Sequence, residues 1–292
     1  MRRSLLFVPG AEPRKLERAR GAGADTVLLD LEDSVPPEQK ADARRHVAAA
    51  LRGGGFGQAE AAVRINAPGT PFFEADLEAV VDGGARLIML PKSDSVEEII
   101  AVVERLQVLE RGRLRAGKEG VKFLALVESP AGIAHACAVG RATPRIEALC
   151  FGHVDFSLHM GLTEADASRG IVYHARCALV IAAKACGVAA IDSVHLAVKD
   201  DRSFRQDAEL GLHLGFEGKL CIHPRQVEIA NDVYTPPPEQ ITYAVRVIEA
   251  WKHAQAEGRG VFTLDDKMID APLVAVQQRV LARARRAGVL SS

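Results

Sequence analysis

A chain of 292 residues, 48% hydrophobic and 26% charged, is long enough to bury a full core, and its formal net charge of −1 removes any general pull toward nucleic acid or an anionic membrane surface. No apolar run approaches membrane-spanning length, and the first of them, Leu5–Val8, is broken by Pro9-Gly10 before it reaches the length of a secretory h-region. Five cysteines, at 137, 150, 177, 186 and 221, stand singly without a CxxC or Cys/His zinc spacing; they read as small buried hydrophobes in a reducing cytoplasm.

Strand-like and helix-like segments alternate along the chain. Leu5–Val8 reads as a first strand and Pro13–Arg20 as a first helix. Thr26–Leu31 is a second strand, followed by a helix over Lys40–Leu51 whose apolar Ala43, Val47, Ala50 and Leu51 fall at helical spacing. Ala62–Ile65, Leu87–Leu90, Phe123–Glu128 and Ile146–Asp155 are strands three to six. Helices over Phe72–Val81, Val96–Leu109 and Ile133–Arg141 separate them. A helix over Glu164–Ala185 leads to a seventh strand, Ala190–Val194, and one over Phe204–Leu214 leads to an eighth, Gly218–Ile222. An eighth helix opens at Pro224. Eight such pairs over about 230 residues predict an α/β fold, a (β/α)₈ TIM barrel spanning 1–234. No G-x-G-x-x-G opens a helix, which disfavours a doubly wound open sheet. Thr235-Pro-Pro-Pro238 is a stiff break. Residues 235–292 then form a C-terminal helical arm, with helices over Glu239–Ala256 and Pro272–Ala287 and a strand-like Val261–Leu264, which packs on the barrel or on a neighbouring subunit.

In such barrels, functional groups collect at the carboxyl ends of the strands. Those ends offer Asp30, Glu32 and Asp33, then Arg64 and Asn66, Lys92, Glu128, Asp155, Asp192 and finally His223-Pro224. Carboxylates outnumber cations on this face, and a divalent cation would relieve the crowding. Glu128 and Asp155 are the leading pair, because each closes an apolar run. Arg64 lies between Val63 and Ile65 inside a strand, where a guanidinium needs either a carboxylate partner (Glu32 or Asp33) or an anionic ligand. Lys92 is a Schiff-base candidate that an acid pair would make superfluous, so it reads as a packing or supporting residue. Arg2, Arg3 and Arg14 flank a Gly turn, and read either as solvated or as a phosphate contact. Most of the nine histidines read as surface or satisfied residues.

Taken in order, Arg3–Gly10, Asp30–Val35, Val63–Asn66, Leu90–Lys92, Val127–Ser129, Phe151–Asp155 and Lys219–Pro224 resemble the family of citrate lyase beta subunits, malyl-CoA lyases and citramalyl-CoA lyases. Any one piece is weak; the set runs through the whole barrel. The resemblance implies a Mg²⁺-dependent carbon–carbon (oxo-acid) lyase that cleaves a 3-hydroxy-3-carboxyacyl-CoA (citramalyl-, malyl- or citryl-CoA) to acetyl-CoA and a 2-oxo acid. It implies Glu128 and Asp155 as metal ligands and Arg64 as the catalytic cation on the substrate oxyanion. Val154 and Pro224 join Arg64 in binding substrate, with Glu32 and Asp33 behind it. Asp265–Pro272 resembles the C-terminal segment of malyl-CoA lyases, which makes Asp270 a catalytic acid/base contributed in trans. A homo-oligomer, trimer or hexamer, follows from that; the charge and the cysteine pattern add the expectation of a cytoplasmic protein with neither nucleic acid nor membrane as partner.

Three alternatives remain at this level. A malate synthase or thioesterase variant would use the same cation and the same enolate. A citryl-acyl-carrier lyase beta component would need a carrier protein, though the retained arm favours a stand-alone CoA enzyme. A silent scaffold is disfavoured because acids stand at both 128 and 155.

Overall fold

The computed structural model describes residues 1–111, 120–163 and 166–291. Eight parallel strands close into a barrel, each paired with its chain neighbours and the last with the first. They are β1 (Ser4–Pro9), β2 (Thr26–Asp30), β3 (Glu60–Arg64), β4 (Leu87–Leu90), β5 (Lys122–Val127), β6 (Ile146–Phe151), β7 (Ala189–Asp192) and β8 (Gly218–Cys221). Both faces of these strands are covered, which is why they read as continuous aliphatic runs rather than as alternating patterns. Leu5, Leu28, Met89, Leu124, Leu126 and Ile191 meet in one buried cluster on the barrel strands. Residues 2–231 form one compact unit around it.

The outer helices are α1 (Pro13–Ala19), α2 (Lys40–Gly53), α3 (Phe73–Asp82), α4 (Val96–Glu110), α5 (Pro130–Arg141), α6 (His153–His159), α7 (Gly170–Cys186), α8 (Asp201–Leu214) and α9 (Pro224–Val233). Their starts are marked by local chemistry. The side chains of Ser95, Ser129 and Asp200 accept from the N–H groups of Glu98, Gly132 and Ser203, satisfying donors that the first helical turn leaves free.

Several expectations need correction. The sixth strand stops at Phe151, and Asp155 lies in the first turn of α6, not at a strand end. Val154 and Phe156 alternate with polar neighbours, and over so short a run that pattern does not separate strand from helix. The helix expected over Glu164–Ala185 starts at Gly170, and Glu164 itself lies outside the described residues. Arg2 and Arg3 are neither solvated nor free for a phosphate: Arg2 pairs with Glu60 and Glu147, and Arg3 with Asp25, all half-buried. Only Cys150 and Cys221 are fully buried; Cys137, Cys177 and Cys186 are half-exposed.

From Asp232 onward the chain forms a second compact unit. It holds α10 (Pro238–Ala256), β9 (Val261–Leu264), β10 (Lys267–Asp270) and α11 (Ala271–Arg286). β9 and β10 make an antiparallel hairpin around Asp265-Asp266, both at positive φ (50° and 58°), as a tight two-residue turn requires. Val247, Ile269 and Val274 form its core, with Tyr243, Trp251 and Phe262 packed against them. Among the described residues no helix is long and apolar enough to cross a membrane.

Candidate active site

A cavity of about 420 Å³ opens at the carboxyl ends of the strands, with Arg64, Glu128, Asp155, Val154 and Gly152 in its wall. The register of β2 on β3 sets Asp30 beside Arg64. Nε and Nη2 of Arg64 donate to the two carboxylate oxygens of Asp30, each at 2.7 Å. Nη1 reaches Asp33 Oδ2 and Glu32 Oε2, both at 3.0 Å. The guanidinium also lies 4.6 Å from the centre of the Phe7 ring. The carboxylate partner of Arg64 is therefore Asp30 first, in a bidentate pair, with Glu32 and Asp33 added to it. Against the cost of burial, Arg64 holds Asp30 below the usual carboxylate range.

Glu128 follows β5 directly and is 3% exposed. Its Oε1 accepts the backbone N–H of Lys92 at 2.8 Å. Lys92 holds a left-handed backbone (φ 52°), a conformation that costs a non-glycine residue energy and here aims that N–H at the carboxylate. Its side chain is half-exposed, with Nζ 3.7 Å from Glu32 Oε1, so Lys92 is not a packing residue. Burial, with the Glu32 charge added, pushes Glu128 up to about 8. Burial likewise raises Glu32 to about 7; Arg64 opposes this, while Asp33 and Asp30 reinforce it. Glu32 Oε2, within ion-pair range of Arg64, has no directed hydrogen bond.

Asp155 is half-buried, and its charge adds to the pressure on Glu128. Gly152 makes the approach of the two elements possible. A Cβ there would lie 2.6 Å from Glu128 Cβ and 2.8 Å from its Oε2, a space that any side chain would fill. Among the described residues no group of three His, Cys, Asp or Glu side chains is placed to hold a metal ion. The protein donors available here are two carboxylates, a set that suits a hard cation keeping open positions for water and substrate oxygens.

The sequence reading missed His153. It is buried, its Nδ1 has no hydrogen-bond partner, and burial together with Lys219 pushes it down to about 4. Behind it lies an ionic network that fixes β7 and β8. Lys219 Nζ reaches Asp192 at 3.0 Å and Asp207 at 2.8 Å, while Arg176 pairs with Asp192 at 2.6 Å and with Asp207 at 3.1 Å. Asp192 is thus a structural carboxylate. Pro224 opens α9 exposed; Leu220 and Ile222, not Pro224, line the cavity from that side. Asp270 belongs to the C-terminal unit, where it caps α11 by accepting from the Leu273 N–H at 3.2 Å.

Comparison with known proteins places this geometry in context. The family described as HpcH/HpaI aldolase/citrate lyase matches residues 3–224. The chain is 35% identical to the citrate lyase subunit beta of Escherichia coli K12 over 290 residues, covering 99% of this chain and 95% of that protein. It is 32% identical to an L-malyl-CoA/beta-methylmalyl-CoA lyase of Cereibacter sphaeroides, over 97% of this chain and 94% of that one. The structure superposes with a TM-score of 0.78 on the CitE protein of Mycobacterium tuberculosis in complex with magnesium, acetoacetate and coenzyme A, at 30% identity and 97% coverage of both chains.

Proposed function

The chain belongs to the HpcH/HpaI aldolase/citrate lyase family, and from that premise we propose that it is a Mg²⁺-dependent carbon–carbon lyase that cleaves a 3-hydroxy-3-carboxyacyl-CoA to acetyl-CoA and a 2-oxo acid. One observation carries this reading: Glu128 and Asp155 wall the same cavity as the Arg64 guanidinium. Glu128 and Asp155 would hold the ion. When bound, Mg²⁺ would polarise the carboxylate and hydroxyl oxygens of the substrate and offset the alkoxide charge.

The remaining work falls to the chain's own groups. Asp30, Glu32 and Asp33 hold Arg64 in one orientation. Arg64 faces the negative charge that moves onto the thioester oxygen as the carbon–carbon bond breaks. The amides around Val154 and Asp155 position the substrate carboxylate. Asp270 of a neighbouring copy delivers a proton to the enolate carbon, or removes one in the condensing direction. This reading includes a cytoplasmic homo-oligomer, a trimer or hexamer.

The test is product analysis with malyl-, citramalyl- and citryl-CoA, with and without Mg²⁺. Acetyl-CoA and a 2-oxo acid should appear together and only with the cation. Free CoA without the keto acid would replace the lyase reading with hydrolysis. Turnover only on a carrier-protein thioester would make the chain a citrate lyase component. Glu128→Ala and Asp155→Ala should each abolish turnover while the barrel stays folded, and unchanged activity in either would overturn the metal site.

A further inference from the structure

Outside the barrel mouth, two thiols lie side by side in the outer helical layer. Cys137 sits within α5 and Cys186 is the last residue of α7, and these two helices pack on each other. The Sγ atoms are 3.6 Å apart, and Cys186 Sγ is 3.2 Å from the Cys137 carbonyl oxygen. The absence of a side chain at Gly140 permits the approach, since a Cβ there would lie 2.9 Å from Cys186 Sγ. Both thiols are half-exposed, within reach of a small reagent. Cys150 and Cys221 are sealed, and burial pushes each thiol up to about 12. Burial raises Cys186 as well, and the neighbouring Cys137 thiol adds to the rise, while the Arg141 guanidinium, which donates to the Ala185 carbonyl oxygen at 2.8 Å, works against it.

We propose that Cys137 and Cys186 form a modification site, a dithiol that a hydroperoxide converts to an intramolecular disulfide. One sulfur, as thiolate, attacks the distal peroxide oxygen. The O–O bond breaks, the alcohol (or water) leaves, and a sulfenic acid remains. The second sulfur attacks the sulfenic sulfur, the S–O bond breaks, and hydroxide leaves with the second thiol's proton as water. Two thiols and one hydroperoxide become one disulfide, one alcohol and one water, with two electrons passing from sulfur to the peroxide. The sulfurs must close from 3.6 Å to about 2.05 Å, a movement of the scale that side-chain rotation supplies. The bond would span 49 positions of chain, including β6 and the turn of α6 that carries Asp155. It would tie the outer layer around that segment without touching the cavity, and it does not depend on the lyase reading.

Trypsin puts each of the five cysteines on a different peptide, so the assignment is unambiguous. Purified full-length protein is treated with hydrogen peroxide, alkylated without reduction, digested and mapped by mass spectrometry. The expected result is a link between the peptides Phe123–Arg141 and Ala185–Lys199, the loss of two alkylatable thiols out of five, and full reversal by dithiothreitol. Cys137→Ser should abolish the link and leave Cys186 as a sulfenic acid that dimedone traps. Five alkylated thiols after peroxide would overturn the proposal. So would a disulfide joining two copies, or sulfonic acids at 137 and 186 without a link.

Discussion

Glu128 is a carboxyl at the mouth of a barrel with almost no water of its own, and that sets how the protein responds to pH. In the unfolded chain it titrates near 4.5; in the fold, burial and the Glu32 charge move it to about 8. Between those values the folded form holds a proton that the unfolded form has released, so stability falls as pH rises through the window and levels off above it. Glu32, raised to about 7, acts in the same direction over a narrower range. In chelator, the melting temperature should drop by a few degrees between pH 5 and pH 8.5, measured by calorimetry. Glu128→Gln should flatten that slope; an unchanged slope would show that the carboxyl is not its source. Added Mg²⁺ should restore stability most strongly at the alkaline end, because binding displaces the proton. A second residue-scale consequence concerns Gly152, whose φ of −101° any residue can adopt. What a side chain lacks there is room. Gly152→Ala should push Glu128 off its position and lower kcat about 100-fold with the fold intact; a wild-type kcat in steady-state assays would mean that the carboxylate tolerates the displacement.

At the scale of elements, β7 and β8 are held by charges with no access to water. Asp192, Lys219 and Arg176 are each fully buried, with Asp207 on α8 completing the set. Removing one member strands the others in a low-dielectric interior. Lys219→Met should therefore cost about 3–5 kcal/mol in urea-unfolding measurements, although Lys219 does not itself line the cavity. A loss under 1 kcal/mol would mean that water or a rearranged Arg176 takes over its role. This network also shows where a sequence stops being legible. The barrel could be read because buried parallel strands are short aliphatic runs between amphipathic helices. Asp207 could not, since Arg205-Gln-Asp-Ala-Glu209 looks like any solvated helical face. Only the placement of α8 over β8 gives it to Lys219. Asp30 as the bidentate partner of Arg64 is likewise a matter of strand register, which composition does not carry. Asp155 is legible as an acid but not as part of a helix, because three residues of ambiguous pattern separate the strand from it. β10 is not legible because it is only four residues long, with Ile269 alone buried, and the Asp-Asp turn before it lacks the usual Asn-Gly or Asp-Gly signal. His153 needed the structure: nothing in Phe-Gly-His-Val-Asp says which of its polar groups is left without a partner.

At the scale of the whole molecule, the proposed proton donor and the proposed metal ligands belong to different compact units of the chain, Asp270 to one and Glu128 with Asp155 to the other. If each working site takes its Asp270 from a neighbouring copy, defects in the two units can complement one another. Glu128→Ala keeps an intact Asp270 and Asp270→Asn keeps an intact barrel, so each homogeneous variant should be inactive on the CoA thioester. When they are mixed in equal amounts and allowed to exchange subunits, a site works only where an intact barrel meets an intact arm. Random assembly in a closed ring makes that about one quarter of all sites, the product of two even chances. Mixing should therefore raise turnover from background to about a quarter of the wild-type rate, and the gain should vanish if the subunits are cross-linked before mixing. Size-exclusion chromatography with light scattering supplies the companion measurement, since the arrangement requires an oligomer at assay concentration. No recovery from subunits shown to exchange would return Asp270 to its structural role as the cap of α11 and leave the proton transfer to the barrel's own carboxyls, of which Glu32, poised near 7 beside Arg64, is the first to examine.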